Sequence, residues 1–180
     1  NKGEKRFIEC YRADTGKPIW SEELGGNTHH KHGLNSFASS TPVTDGKMVY
    51  VSWGDNDEYF IVAHDFRSGA EKWRTQLKSS VSKHGHGTAV SPVLFENLVI
   101  ILNEQDTGPG YIGALDKTTG KERWKIERKI EIMTYATPII IEVKGEPQLI
   151  NSCLDDGLMG INPRNGKVLW STPGNFDLRT

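Results

Sequence analysis

The stretch Ala114-Leu-Asp-Lys-Thr-Thr-Gly-Lys-Glu-Arg-Trp124 decides the fold, because the chain writes it four times. The other copies are Cys10–Trp20 (CYRADTGKPIW), Ala63–Trp73 (AHDFRSGAEKW) and Gly160–Trp170 (GINPRNGKVLW). Each has a small residue in the first place, Gly in the seventh and Trp in the eleventh. The glycines Gly16, Gly69, Gly120 and Gly166 follow one another at steps of 53, 51 and 46 residues. A period near 50 marks a repeat architecture in which each copy is one supersecondary unit.

Before each of these glycines lies a run that reads as strand, such as Arg6–Cys10, Tyr59–Val62 and Tyr111–Leu115. After it comes a short strand that carries the Trp. The joints Asp14-Thr-Gly16, Arg67-Ser-Gly69, Thr118-Thr-Gly120 and Arg164-Asn-Gly166 read as tight turns. Gly supplies the positive φ, and the preceding Ser, Thr or Asn bonds the local backbone. The frame is therefore a β-hairpin ending in a buried aromatic. Cys10, Ala63, Ala114 and Gly160 are small enough to receive its ring. Trp20, Trp73, Trp124 and Trp170 hold a fixed phase, which points to docking between repeats rather than to a stacking site for ligand. Trp53 is out of phase and is expected to be partly exposed. Arg12 and Asn162 replace the Asp that Asp65 and Asp116 keep in the third place, so the end copies should cap their turns less well.

A second element recurs upstream. Ser40-Thr-Pro-Val43, Val90-Ser-Pro-Val93 and Ala136-Thr-Pro-Ile139 place Pro42, Pro92 and Pro138 at steps of 50 and 46. Each is expected to open an apolar strand, where Pro costs no ladder hydrogen bond. A turn follows (Asp45-Gly-Lys47, Glu96-Asn97, Lys144-Gly-Glu146), then another strand (Met48–Trp53, Leu98–Leu102, Gln148–Ser152). Four short strands per repeat make a propeller blade, so the fold class is all-β.

The Pro-opened strand followed by A-x-D-x-x-T-G-K-x-x-W resembles the pyrroloquinoline-quinone-type β-propeller repeat. The resemblance covers nearly the whole chain. The family includes quinoprotein dehydrogenases as well as non-catalytic propellers like the lipoprotein of the outer-membrane barrel assembly machinery. It implies an exported, periplasmic or extracellular location. It also admits pyrroloquinoline quinone with calcium as a cofactor. The dehydrogenases hold their quinone with an adjacent Cys pair and a Glu, Asn and Asp set around calcium. Cys10 and Cys153 are single and far apart, which argues against quinone catalysis by this stretch. They are expected to be buried structural thiols.

At 180 residues, 36% hydrophobic and 25% charged, the sequence fits a globular chain rather than a disordered one. A net charge of −1 gives no electrostatic footprint for nucleic acid. No apolar run is long enough for a spanning helix. Repeat units at about 1–24, 38–77, 88–127 and 135–171 read as half a blade followed by three blades. We therefore expect one propeller segment over residues 1–180, cut from a ring of about seven or eight blades. Its partners would be a protein or the remaining blades.

The histidines are the least ordinary feature. His29, His30 and His32 form one cluster and His84 and His86 another, each a few residues before a Pro-opened strand. If those strands are innermost, both clusters lie in inter-blade loops near the central channel, with Ser36, Phe37 and Thr88 nearby. His30, His32, His84 and His86 could hold zinc or copper, although H-x-H is a weak pattern and an ordinary solvated loop is the plainer reading. Gly54-Asp-Asn-Asp-Glu58 lacks the length and flanking helices of a calcium loop. Gly108-Pro-Gly110 precedes a strand, so no helix dipole awaits a phosphate. No motif of nucleophilic or metalloprotease catalysis occurs. The expectation is a non-catalytic scaffold that binds a partner or ligand at this loop face. The alternatives are part of a quinoprotein dehydrogenase or a metal-binding propeller.

Overall fold

The structure is a computed structural model that describes residues 5–25, 32–33, 36–55, 58–79, 88–104, 109–129, 134–154 and 157–173. It is an all-β propeller segment. The first sheet pairs β1 (Phe7–Tyr11) with β2 (Pro18–Glu23). The second runs β3 (Val43–Thr44), β4 (Met48–Asp55), β5 (Glu58–Asp65), β6 (Glu71–Lys78). The third runs β7 (Val93–Phe95), β8 (Leu98–Asn103), β9 (Pro109–Asp116), β10 (Glu122–Lys129). The fourth runs β11 (Ile139–Val143), β12 (Glu146–Cys153), β13 (Gly157–Ile161), β14 (Val168–Thr172). Each is an antiparallel meander in chain order, and no helix occurs among the described residues.

Pro42, Pro92 and Pro138 stand one residue before β3, β7 and β11, which are edge strands. The expected Pro-first strands thus begin one residue later, because a ring without an N–H leaves the ladder to the next residue. The residues just ahead of these prolines join consecutive sheets. The Thr41 N–H donates to Ser91 Oγ at 2.9 Å, and the Ser91 N–H donates to Thr137 Oγ1 at 3.3 Å.

Sheets face one another through three apolar layers. Ile8 and Leu24 of the first sheet side meet Val51, Trp53 and Val62 of the second. Tyr50, Tyr59, Ile61 and Ala63 meet Val99, Ile101, Tyr111 and Leu115 of the third. Leu98, Ile100, Leu102, Ile112 and Ala114 meet Leu149, Met159 and Ile161 of the fourth. β5 and β9 therefore contribute to layers on both their faces, which explains their near-continuous apolar runs.

The repeated frame is built alike in every sheet. The small residue and the Trp are cross-strand partners: Cys10↔Trp20, Ala63↔Trp73, Ala114↔Trp124 and Gly160↔Trp170. The ladder shifts register beside each pair, and such a bulge sharpens the twist and re-aims side chains. The first three rings reach the next sheet and lie on its turn glycine. A Cβ on Gly69 would stand 2.7 Å from the Trp20 ring, on Gly120 2.5 Å from Trp73, and on Gly166 2.7 Å from Trp124. Each indole Nε1–H donates to the carbonyl three residues before that glycine: Trp20 to Phe66 at 3.1 Å, Trp73 to Lys117 at 2.8 Å, Trp124 to Pro163 at 3.0 Å.

The sequence led us to expect the ring on the small residue. For three of the four rings the next sheet's glycine receives it as well, while Ala63 and Ala114 stay in the same apolar layers as Trp73 and Trp124. Trp170 is the exception. It is 40% exposed, lies over its own partner Gly160, and donates to Gln148 Oε1 at 2.7 Å. Gly16 has nothing within 4 Å of the place a Cβ would take.

The four turn glycines have φ between 65° and 78°. Asp65 Oδ1 accepts from the Arg67 and Ser68 N–H groups at 3.1 and 3.0 Å, and Asp116 Oδ1 from Thr118 and Thr119 at 2.9 and 3.0 Å. In the end copies the caps are poorer. Asn162 Oδ1 accepts from Arg164 N–H at 2.9 Å, while the Arg12 guanidinium pairs with Asp14 at 2.7 Å and caps nothing. The Ser68 backbone N–H, with its hydroxyl and the Arg67 N–H, holds the Asp65 carboxyl down at about 2.

Two expectations about single residues change. Trp53 is only 5% exposed, because β4 lies between sheets and its ring stacks on Phe60 at 5.2 Å. Cys153 is buried but Cys10 only half-buried, since the first sheet has two strands. The two thiols form no disulfide.

Gly69→Ala should destabilise the chain in urea titration by more than Gly46→Ala. Both force a left-handed Ala, worth about 1–2 kcal/mol. Gly46 at φ 81° has open space, whereas Gly69 at φ 78° adds a collision with Trp20, and overpacking of that kind costs about 1–3 kcal/mol more. Equal losses would show that the Trp20 contact is loose. Asp65 gives a pH test. Its folded value lies below the unfolded value of about 3.9, so its stabilisation is complete above that value. It is lost as pH falls toward about 2. Melting curves of Asp65→Asn should therefore differ from the parent near neutrality and converge with it below about pH 2.

Candidate functional site at the loop end

Of the residues singled out for a loop face, His29, His30, His84 and His86 lie outside the described residues. His32 and Ser36 are exposed, and Phe37 and Thr88 are half-buried. Phe37 and Thr88 meet the same end of β4. Phe37 borders a cavity shared with Trp53, and the Thr88 side chain lies against the backbone of Gly54, where a Cβ would stand 3.0 Å away. Gly54 is what lets the Thr88 segment come so close.

The cavity, about 190 Å³, lies between the first and second sheets. Its walls include Arg6, Ile8 and Leu24 from the first sheet side, Val51, Ser52 and Trp53 from β4, and Phe37, Ala38 and Ser40 from the segment between the two sheets. Arg6 is 3% exposed and its guanidinium lies 4.9 Å from the Phe37 ring centre. Burial pulls its pKa down, and the charge of Asp55, itself buried, works against that. The Ser40 and Ser52 hydroxyls share a hydrogen bond at 3.1 Å. The Trp53 ring has the Arg74 guanidinium 5.4 Å above it, and Arg74 also donates to the Leu24 carbonyl at 3.0 Å. The Trp53 Nε1–H is buried without an acceptor among the described residues.

Sequence reasoning missed Arg6. It stands four residues before Cys10, as the fully buried Tyr59 stands four before Ala63. A cation at a place the next repeat fills with an aromatic core residue was the available signal.

A second polar group closes the seam between the third and fourth sheets. Arg128 Nε lies 3.4 Å from Glu104 Oε1, with their side chains 4% and 1% exposed. The Thr134 hydroxyl donates to Glu104 Oε2 at 3.1 Å, and Arg128 Nη1 donates to Met159 Sδ at 3.0 Å. Swapping a whole buried pair of this kind for apolar residues is often nearly neutral, whereas removing one partner is costly.

The donors among the described residues do not fit a quinone site of the dehydrogenase kind. Cys10 is on β1 and Cys153 on β12, in sheets separated by two others, and no adjacent Cys pair exists in the sequence. Asp65 and Asp116 are spent on turns. Among the described residues no group of three or more His, Cys, Asp or Glu could hold a metal ion, and His32 is the one member of the His set they include. No helix among them is long and apolar enough to cross a membrane.

A family model described as outer membrane protein assembly factor BamB matches residues 4–177. The chain belongs to that family. A curated relative, outer membrane protein assembly factor BamB of Yersinia pestis, is 30% identical over 124 residues, covering 68% of this chain and 28% of the relative. The crystal structure of BamB from Moraxella catarrhalis aligns with TM-score 0.63 at 15% identity, over 93% of this chain and 42% of that one. Quinohemoprotein alcohol dehydrogenase ADHIIG from Pseudomonas putida HK5 aligns with TM-score 0.68 at 17% identity, over 93% of this chain and 31% of that one. At such identities both structures show the fold alone. The chain spans between 28% and 42% of the length of these relatives.

Glu104→Gln leaves the buried Arg128 charge without its counter-ion, which should cost about 3–5 kcal/mol in urea titration. A loss below about 1 kcal/mol, the range of exposed pairs, would show that water reaches the seam.

Proposed function

We propose that this chain is an arc of a larger propeller, of about seven or eight blades, that binds a protein partner instead of turning over a substrate. The family match over residues 4–177 carries the reading. The partial cover of each relative supports the arc, with repeat units at about 1–24, 38–77, 88–127 and 135–171. In this reading Trp20, Trp73, Trp124 and Trp170 with Gly16, Gly69, Gly120 and Gly166 are the docking set of the ring. The facing sides of consecutive sheets are consumed by packing, and in this reading recognition falls to the loop end. Its residues are His29, His30, His32, Ser36, Phe37, His84, His86 and Thr88. By likeness to relatives named as outer membrane protein assembly factors, the partner belongs to such an assembly and the location is periplasmic.

Photo-reactive residues at Phe37 and Thr88 in the full-length protein should cross-link one defined partner in cells, while the same residue at Glu127 on β10 should not. Equal cross-linking from all three positions would contradict a loop-end site. Tight binding of pyrroloquinoline quinone with calcium to the purified protein would contradict the non-catalytic reading itself.

A further inference from the structure

We propose that the outer edge of β14 is an interaction surface that pairs with the β14 of a second copy of this chain. The two strands run antiparallel about a two-fold axis and join two fourth sheets into one. The pairing stands apart from the loop-end partner, since it rests on a sheet edge and not on the loops.

β2, β6, β10 and β14 are each the last strand of their sheet and meet one strand only among the described residues. A strand so placed turns a row of backbone N–H and C=O groups outward, and proteins blunt such an edge with charge or proline. Three of the four are blunted. β6 sets Glu71, Lys72 and Arg74 around Trp73, and β10 sets Glu122, Arg123 and Lys125 around Trp124. β2 opens on Pro18 and ends on Glu22 and Glu23. In the same frame β14 sets Val168, Leu169 and Ser171 around Trp170, with no charge and no proline. All five of its residues are exposed, Val168 at 42% and Leu169 at 43%. Branched and aromatic residues of this kind suit a strand with neighbours on both sides.

The charges on the other edges show why a second copy is the partner. In an antiparallel pair centred on the frame Trp, the residue before the ring faces the residue after it on the other copy. On β6 that would set Lys72 against Arg74, and on β10 Arg123 against Lys125. Like charges directly opposite one another are destabilising, so those two edges repel their own copies. On β14 the same register sets Leu169 against Ser171 and Val168 against Thr172, with Trp170 against itself. Nothing repels. Lys167 and Pro173 flank the strand, and a proline cannot extend the ladder, so the pairing is confined to β14. A two-fold contact uses up the edge on both copies, which stops the assembly at a dimer.

The test is sedimentation equilibrium of the full chain from micromolar to millimolar concentration. The chain should associate to a dimer and no further. Leu169→Arg with Ser171→Lys writes Arg123 and Lys125 of β10 into β14 and makes two like-charge contacts. It should weaken the dimer about tenfold, with the far-ultraviolet circular dichroism of the parent. Leu169→Arg with Ser171→Glu sets opposite charges face to face and should restore the dimer. If the first variant does not fold, Leu169→Lys alone should weaken the dimer severalfold. Ile141→Glu, on β11 at the far edge of the same sheet, should leave it unchanged. A monomer throughout, or association beyond a dimer, overturns the proposal. So does a dimer that the like-charge variant leaves intact, or one that both charge variants weaken equally, or one that Ile141→Glu abolishes.

Discussion

The structure depends on a contact between the face of an indole and a glycine that has no side chain. Trp20, Trp73 and Trp124 each lie where a Cβ on Gly69, Gly120 or Gly166 would have to be. The same glycines sit at positive φ, so the turn and the contact impose the same residue for two independent reasons. Close approach then brings the Nε1–H within reach of a turn carbonyl, which satisfies a donor that would otherwise be buried alone. Ring, glycine and carbonyl form one unit, and spacing between sheets follows from it.

The opposite edge is held by lighter means. Thr41, Ser91 and Thr137 link backbone to hydroxyl from one sheet to the next, beside prolines that cannot extend the ladder. Between these two edges the layers are apolar and generic. Buried charges among the described residues gather toward the strand ends, as Arg6 with Asp55 and as Arg128 with Glu104. Those ends are where the sheets stop being interchangeable, and where a site can differ from one seam to the next.

Most of the fold was legible because its rule is periodic. Gly at the seventh place and Trp at the eleventh, recurring near every 50 residues, fix hairpin, sheet and repeat together. What the period did not carry was the target of the ring. Pairing of Ala63 with Trp73 is visible in one frame, but the approach of Trp73 to Gly120 needs two frames placed in space. Trp53 departs from the expectation because a place out of phase need not be exposed: every β4 residue from Tyr50 to Trp53 is covered by sheet on one side or the other. Of the loop face, the sequence named Phe37 and Thr88, which lie beside Trp53 and Gly54 of β4 respectively. Arg6 escaped because a single arginine in a strand looks like a solvated one until the neighbouring sheet is in place.

The most direct measurement is hydrogen exchange at the four frame indoles, followed by NMR. Trp20, Trp73 and Trp124 donate to backbone carbonyls of the next sheet, while Trp170 is 40% exposed and bonds a side chain of its own. The account predicts slow exchange at the first three and fast exchange at Trp170. Four indoles exchanging alike, at the rate of an exposed ring, would contradict it.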